Sequence, residues 1–293
     1  MKNLKTLRLS ANYTQQDLAL MLGVKPKNIS DWELGKSQPE LKILRDIAVI
    51  FGTSVYDILS DNLVTTTYWK PWNKDKSIDT FWGHIGILLY NSNFIKWYPI
   101  TTQTANIVEN DLIELDSEAK NQILTVTTLN NRLLYINKKI IKKISLLDDS
   151  SDIPKDWEIP WDGYQGLGAE EFYNLIEEYF SDHVEFRINT SENLQKIIEK
   201  IIKDNRLTDE NIDEITNNIY IYFHDNTTET LFVDDILEFL DSISDVIILE
   251  NKFIRCTDIN GEIHFFPIDS IGLIDTPLYQ FKKEVKKIEF FKE

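Results

Sequence analysis

Glycine and proline cut the first fifty residues at intervals that allow only short helices. Gly23, Gly35 and Gly52 each follow an apolar run of helical period, and Pro26 and Pro39 open the runs that come next. Leu4, Leu7 and Leu9 make a first stripe, broken at Ala11-Asn12-Tyr13. Thr14 with Asp17 three residues on reads as a capping-box start, and Leu18, Ala19 and Leu22 share the face that follows. Gly23 stands where a helix end needs positive φ. Val24 fills the corner, and Pro26 suits a first helical turn because its missing N–H has no partner there anyway. Ile29 and Trp32 face inward, three apart. Leu41, Leu44, Ile47, Ala48 and Phe51 mark a fourth helix, and Val55, Ile58 and Leu59 a short fifth. Two such helices bury little alone, so the spacing predicts one five-helix bundle over residues 1–62.

The Gly-turned pair at its centre has helix-turn-helix geometry, in which the second helix lies in the major groove of DNA. Leu7-Arg8, Thr14-Gln15, Leu18-Ala19, Gly23-Val24, Ile29-Ser30, Trp32-Glu33, Gly35-Lys36 and Pro39 together resemble the phage-repressor (Cro, XRE) type of helix-turn-helix family. The resemblance covers residues 1–62, and it implies sequence-specific binding to a double-stranded DNA operator, usually as a homodimer on a two-fold site. It places Gln15 at the helix start that meets the DNA backbone, and Lys27, Asn28 and Asp31 at positions that read bases. Asn can pair with adenine, Lys can donate to guanine and Asp can accept from cytosine N4. Lys25 stands at an N-cap where the family prefers Ser or Thr. Lys36 and Ser37 fall in a loop that usually meets phosphate. Arg8 and Glu33 match a pair that the family joins as a salt bridge. Each polar residue also has a plainer use as a solvated helix face, and Asp31 could instead pair with a nearby cation.

The charge is unevenly spread. Residues 1–62 hold eight Lys/Arg against seven Asp/Glu, so of the chain's net −17 they carry +1 and the rest −18. An acidic chain does not coat nucleic acid without selectivity, and only the N-terminal segment escapes the acidity. With one cysteine, Cys256, and no apolar leader or membrane-length run, the expected setting is the cytoplasm, with no membrane and no internal disulfide.

Beyond residue 62 the resemblance stops. Residues 63–80, with Pro71 and the aromatic cluster Tyr68, Trp69 and Trp72, read as a linker that docks. Residues 81–150 read as a β-rich module of short β-branched and aromatic strands, and 151–293 as an α/β module. In the latter, a loop-like stretch to residue 168 precedes three amphipathic helices. One carries Phe172, Leu175, Ile176, Tyr179 and Phe180. The next carries Leu194, Ile197, Ile198, Ile201 and Ile202 after Ser191 as N-cap. The third runs from Thr208 toward Ile219 or Phe223. Strands return near 246–274, and a Lys-rich tail closes the chain. The fold class is therefore α+β and multidomain: a helix-turn-helix bundle, then a β-rich body with an inserted helical segment. Residues 121–144 also align without gaps on 251–274, each copy reading as strand, Asn-Asn or Asn-Gly turn, strand and closing segment. Five identities in so short a window also arise between unrelated hairpins, so two related β modules stand beside coincidence.

Little in the sequence points to catalysis. Gly166-Leu167-Gly168 is followed by Ala-Glu-Glu, whose carboxylates oppose phosphate, and there is no GxSxG, HExxH or CxxC. The histidines lie far apart, so no metal site or cofactor is expected. Acidic pairs such as Glu170/Glu171 and Glu177/Glu178 read as a wet helix face. The expectation is a non-enzymatic transcriptional regulator, in the first instance a repressor, whose acidic body dimerises or senses a small-molecule or protein effector. The alternative is an antitoxin or defence-system control protein whose body binds a protein partner.

Overall fold

The structure, a computed structural model, describes residues 1–59, 82–113, 122–148, 170–204, 206–249 and 251–284. The expected linker, the loop-like stretch to residue 168 with its Gly166-Leu167-Gly168, Asn121 and the Lys-rich tail beyond residue 284 lie outside the described residues. Along the chain run α1 (Lys2–Ser10), α2 (Gln15–Leu22), α3 (Pro26–Glu33), α4 (Leu41–Phe51) and α5 (Val55–Leu59). Then come β1 (Gly83–Leu89), β2 (Lys96–Ile100), α6 (Thr102–Ile113), β3 (Ile123–Thr127), β4 (Arg132–Asn137) and β5 (Ile141–Asp148). The remaining elements are α7 (Glu170–Ser181), α8 (His183–Asn189), α9 (Glu192–Asp204), α10 (Asp213–Thr216), β6 (Ile219–Phe223), β7 (Thr228–Leu231), α11 (Ile236–Leu249), β8 (Phe253–Thr257), β9 (Ile263–Pro267) and β10 (Ile271–Pro277).

This is an α+β fold in two compact units. In described residues, one unit is 1–59 with 170–212, and the other is 82–148 with 213–284. The units cut across the linear partition at residue 150, because each takes part of the C-terminal segment.

In the first unit, Leu4, Leu7, Leu18, Ile29, Trp32, Ile47, Phe51 and Ile58 pack into one core. Leu9, Leu41 and Leu59, expected on apolar faces, are exposed. Each lies at or near a helix end, where the face has turned away from the core. Thr14 accepts the Asp17 N–H at 3.1 Å while the Asp17 carboxylate accepts the Thr14 N–H at 2.8 Å, closing the capping box. Gly23 ends α2 at φ 66, a conformation that side-chain-bearing residues rarely adopt. The later helices are fastened to α4. The Arg45 guanidinium lies 3.3 Å from Glu171 and 2.7 Å from Glu178 of α7, and the Ser191 hydroxyl donates to Asp46 at 2.6 Å. The expected wet face of α7 is therefore not wet at its start: Glu170 and Glu171 are buried. Apolar periodicity marks an inward face, but it does not reveal that a distant arginine can hold carboxylates inward too. Burial pushes Glu171 up to about 7 even with the Arg45 charge beside it.

In the second unit a hairpin, a helix, another hairpin and a single strand follow one another twice. The first series is β1–β2, α6, β3–β4, β5, and the second is β6–β7, α11, β8–β9, β10. The likeness extends to register. Pairing from Ile123↔Asn137 to Thr127↔Leu133 in one hairpin is matched by Phe253↔Pro267 to Thr257↔Ile263 in the other. β5 runs antiparallel to β1 and skips Lys142, and β10 runs antiparallel to β6 and skips Gly272. The hairpin turns carry Asn131 at φ 65 and Gly261 at φ 80. The aligned segments are thus two copies of one folding pattern. They join because β4 also pairs with β10, giving a five-stranded sheet in the order β3-β4-β10-β6-β7 beside a three-stranded sheet β2-β1-β5. At the junction Arg132 is buried with Asp275 as an ion pair, the Tyr98 hydroxyl donates to the same carboxylate at 2.8 Å, and Arg132 donates to the Asn218 carbonyl at 2.8 Å.

Three helical readings change. The third amphipathic helix after Thr208 is only the one-turn α10, and Ile219–Phe223 is strand β6. Its alternating Ile and Tyr suit a pleated, half-buried surface between two partners. α6 lies within a stretch read as strands, and α11 occupies residues read as the return of strands near 246.

Candidate nucleic-acid interface

Buried Ile29 and Trp32 anchor α3 on the core of the first unit. With 3.6 residues per turn, that anchoring turns positions 27, 28 and 31 the other way. Lys25, Lys27 and Asn28 are exposed around the helix start, and Lys36 and Ser37 are exposed just beyond its end. Lys25 is extended and makes no side-chain cap, and Pro26 sits in the first turn instead. The Asn28 N–H already donates to the Lys25 carbonyl at 2.8 Å and Pro26 has none, so it is the two exposed lysines and the amide, at the positive end of the helix, that suit a phosphate chain and the base edges beside it.

Asp31 and Gln15 have partners within the protein. Asp31 is half-buried and lies 3.4 Å from the Lys27 ammonium, one helical turn away. An exposed pair of this kind is weak, so Lys27 remains able to leave it. Gln15 donates to Glu33 at 2.8 Å. Glu33 also receives Arg8 through two bonds, at 2.6 and 3.1 Å, while Arg8 donates to the Tyr13 carbonyl at 2.8 Å. The Arg8–Glu33 pair therefore ties α1 to α3 and, through Gln15, to the start of α2. Burial alone would raise Glu33. The hydrogen bonds from Arg8 and Gln15 and the charges of Arg8 and Lys5 outweigh it and hold the carboxyl below its usual range.

Gln16 and Gln38 are also exposed, beside Gln15 and Ser37, and were not among the residues that the sequence singled out. In the second unit Asp258, Glu262 and His264 bring ligand atoms within 4.8 Å of one another. Asp258 already accepts the N–H groups of Asn260 and Glu262, at 2.9 and 2.8 Å, which is ordinary turn chemistry.

Bundle, glycine turn and outward-facing α3 define a helix-turn-helix protein. The chain belongs to that family: residues 4–58 match the family described as helix-turn-helix. An uncharacterized HTH-type transcriptional regulator of Methanocaldococcus jannaschii is 48% identical over 59 residues, which are 20% of this chain and 89% of that protein. The HTH-type transcriptional activator BcrR of Enterococcus faecalis is 37% identical over 65 residues, 22% of this chain and 32% of that one. A prophage-derived uncharacterized HTH-type transcriptional regulator of Bacillus subtilis, YonR, is 38% identical over 53 residues, 18% of this chain and 49% of that one. No solved structure matches the chain. Among the described residues no helix is long and apolar enough to cross a membrane.

Proposed function

We propose that the chain is a sequence-specific transcriptional regulator that binds operator DNA as a homodimer through the outer face of α3. The observation that carries the reading is the orientation of that helix: Ile29 and Trp32 are buried while Lys27 and Asn28 are exposed beside each other. Lys27 and Asn28 read base edges, Lys25, Lys36 and Ser37 meet phosphates, and Gln15 reaches the backbone while braced by Glu33. Asp31 serves as the partner that orients Lys27. Occupying an operator is enough to block transcription, so repression is the simplest outcome. The acidic second unit keeps non-specific DNA away and joins copies of the chain.

The test is a titration of the full chain on DNA from upstream of its own gene and on a scrambled duplex, at two salt concentrations. The parent chain is expected to prefer its own upstream DNA. Lys27→Ala with Asn28→Ala removes that preference at about 1–3 kcal/mol per lost base contact. Lys36→Ala weakens binding to both duplexes alike and lowers the salt slope by about one. If the double variant still selects its site like the parent, α3 is not the reading element.

A further inference from the structure

The two hairpins with equal register are buried very differently. In the first, Ile123 and Leu133 are 4% exposed, and Leu129 in its turn is also 4%. Their counterparts in the second hairpin are Phe253 at 53%, Ile263 at 50% and Ile259 at 64%, and Phe265, the counterpart of half-buried Tyr135, is 60% exposed. The inward faces agree: Ile254, Cys256 and Phe266 are buried, as are Leu124, Val126 and Ile136. The second hairpin is thus folded onto its own module in the same way, yet its outer face lacks a cover.

What covers the first hairpin is known. β4 pairs along β10, with Tyr135 opposite Ile274 and Leu133 opposite Thr276, and Ile123 and Tyr135 enter the core of the second module. The counterpart of β10 is β5, which among the described residues pairs with β1 alone. β10 is buried along its whole length, whereas Ile144, Ser145, Leu146 and Leu147 of β5 are half-exposed. The Ser145 hydroxyl, shielded from water, has no hydrogen-bond partner among the described residues. Among the described residues one uncovered hairpin and one open strand edge therefore remain, and they correspond to the two sides of a junction the chain already makes once.

We infer that these two surfaces pair between copies: β9 of one chain runs antiparallel to β5 of a second copy, in the register of the internal junction. Transferred position by position, that register sets Phe265 opposite Ile144 and Ile263 opposite Leu146, so each exposed apolar residue meets a half-buried apolar one on the same face. Exposed apolar edge strands otherwise invite uncontrolled pairing. On the opposite face Lys143 and Ser145 stand where β10 has Leu273 and Asp275, and Glu262 stands where β4 has Arg132. The second junction is more polar there, which suits association between chains rather than a permanent seam. Each chain offers one hairpin and one edge, so two chains satisfy both by reciprocal pairing and close as a dimer. The inference rests on the homodimer reading above and names its surface.

Light scattering on the eluted full chain tests it. The parent chain is expected at the mass of two copies. Phe265→Asp and Ile263→Asp, both at exposed positions, raise the dimer dissociation constant about 30-fold or more. As a second measurement, Leu146→Cys combined with Ile263→Cys forms a disulfide-linked species of doubled mass on oxidation. Leu147→Cys with Ile263→Cys does not, because residue 147 points to the other face. Cys256 is buried and does not compete. A parent chain that stays monomeric overturns both this inference and the homodimer reading. A dimeric parent whose aspartate variants keep their mass and whose Leu146→Cys/Ile263→Cys pair does not link overturns this inference alone. Operator selectivity is read in a separate titration, so loss of the DNA reading shows independently.

Discussion

Each unit is fastened by an arginine that joins segments far apart in the chain, buried Arg132 in one and half-buried Arg45 in the other, and the two have different surroundings. Arg132 lies with Asp275 among backbone carbonyls and a tyrosine hydroxyl, in the middle of a sheet. Arg45 lies between two helices with two carboxylates, one of which titrates near neutrality. In the sheet junction, loss of the cation leaves its one buried carboxylate among backbone carbonyls with the Tyr98 hydroxyl as its remaining donor. A helix interface with an adjustable carboxylate can neutralise itself. The difference teaches that burial of an ion pair says less about its energetic weight than whether the partner left behind can shed its charge.

The sharpest way to break the comparison is to remove each cation in turn. Arg132→Ala strands Asp275 and should cost about 3–5 kcal/mol, seen as faster hydrogen exchange at the amides of β4 and β10. Arg45→Ala should cost less, about 2 kcal/mol, because Glu171 takes up a proton. It should show at α4 and α7, with the larger loss at alkaline pH. Equal losses at all pH values would mean that Glu171 is not the adjustable group.

Acid should then move the two units in opposite directions. Glu171 has a folded value raised from 4.5 to about 7, so its contribution is fully present below 4.5 and is lost as pH rises through 7. His84, in the second unit, is lowered by burial from 6.5 to about 4. Its contribution is present above 6.5 and is lost as pH falls through 4. Between pH 7 and 5 the amides of α7 should therefore gain protection while those of β1 lose it. Glu33 acts in the first unit at lower pH: held below its usual range, it contributes above 4.5 and is lost as pH falls further. The smallest expected effect is that of Lys27→Ala with Asn28→Ala on exchange in either unit, within about 0.5 kcal/mol, because both side chains are exposed.

The helices of residues 1–59 were legible because their punctuation is local: glycine at a positive φ, proline in a first turn, a capping box and apolar residues at helical spacing. So were β1 to β5, α7 and α9. What the sequence left hidden depends on partners distant in the chain. Ile219–Phe223 carries enough Ile and Tyr to read as a helix face until β10 and β7 are set on either side of it. α6 has only a weak apolar stripe, and Thr104, Ala105 and Val108 become its buried side through the strands beneath. The aligned hairpins were visible as a likeness, but their shared register and their unequal burial belong to three dimensions. At the candidate interface, periodicity marked Ile29 and Trp32 as the inward side of α3, and the family resemblance named Lys27, Asn28 and Asp31. The pairing of Asp31 with a cation was among the sequence readings, and Lys27 is that cation; that Gln15 braces Glu33 was not legible, because the two stand eighteen residues apart.

The fastening of α4 to α7 and α9 also has a consequence for synthesis on the ribosome. The bundle of residues 1–59 leaves the ribosome before the later helices, so Asp46 meets Ser191, and Arg45 meets Glu171 and Glu178, only after more than a hundred further residues have been translated. At about 5–20 residues per second that interval lasts on the order of ten seconds. During it α3 is already present while the side of α4 that receives α7 and α9 lacks them, so quality control has a window in which to sort interrupted chains from finished ones.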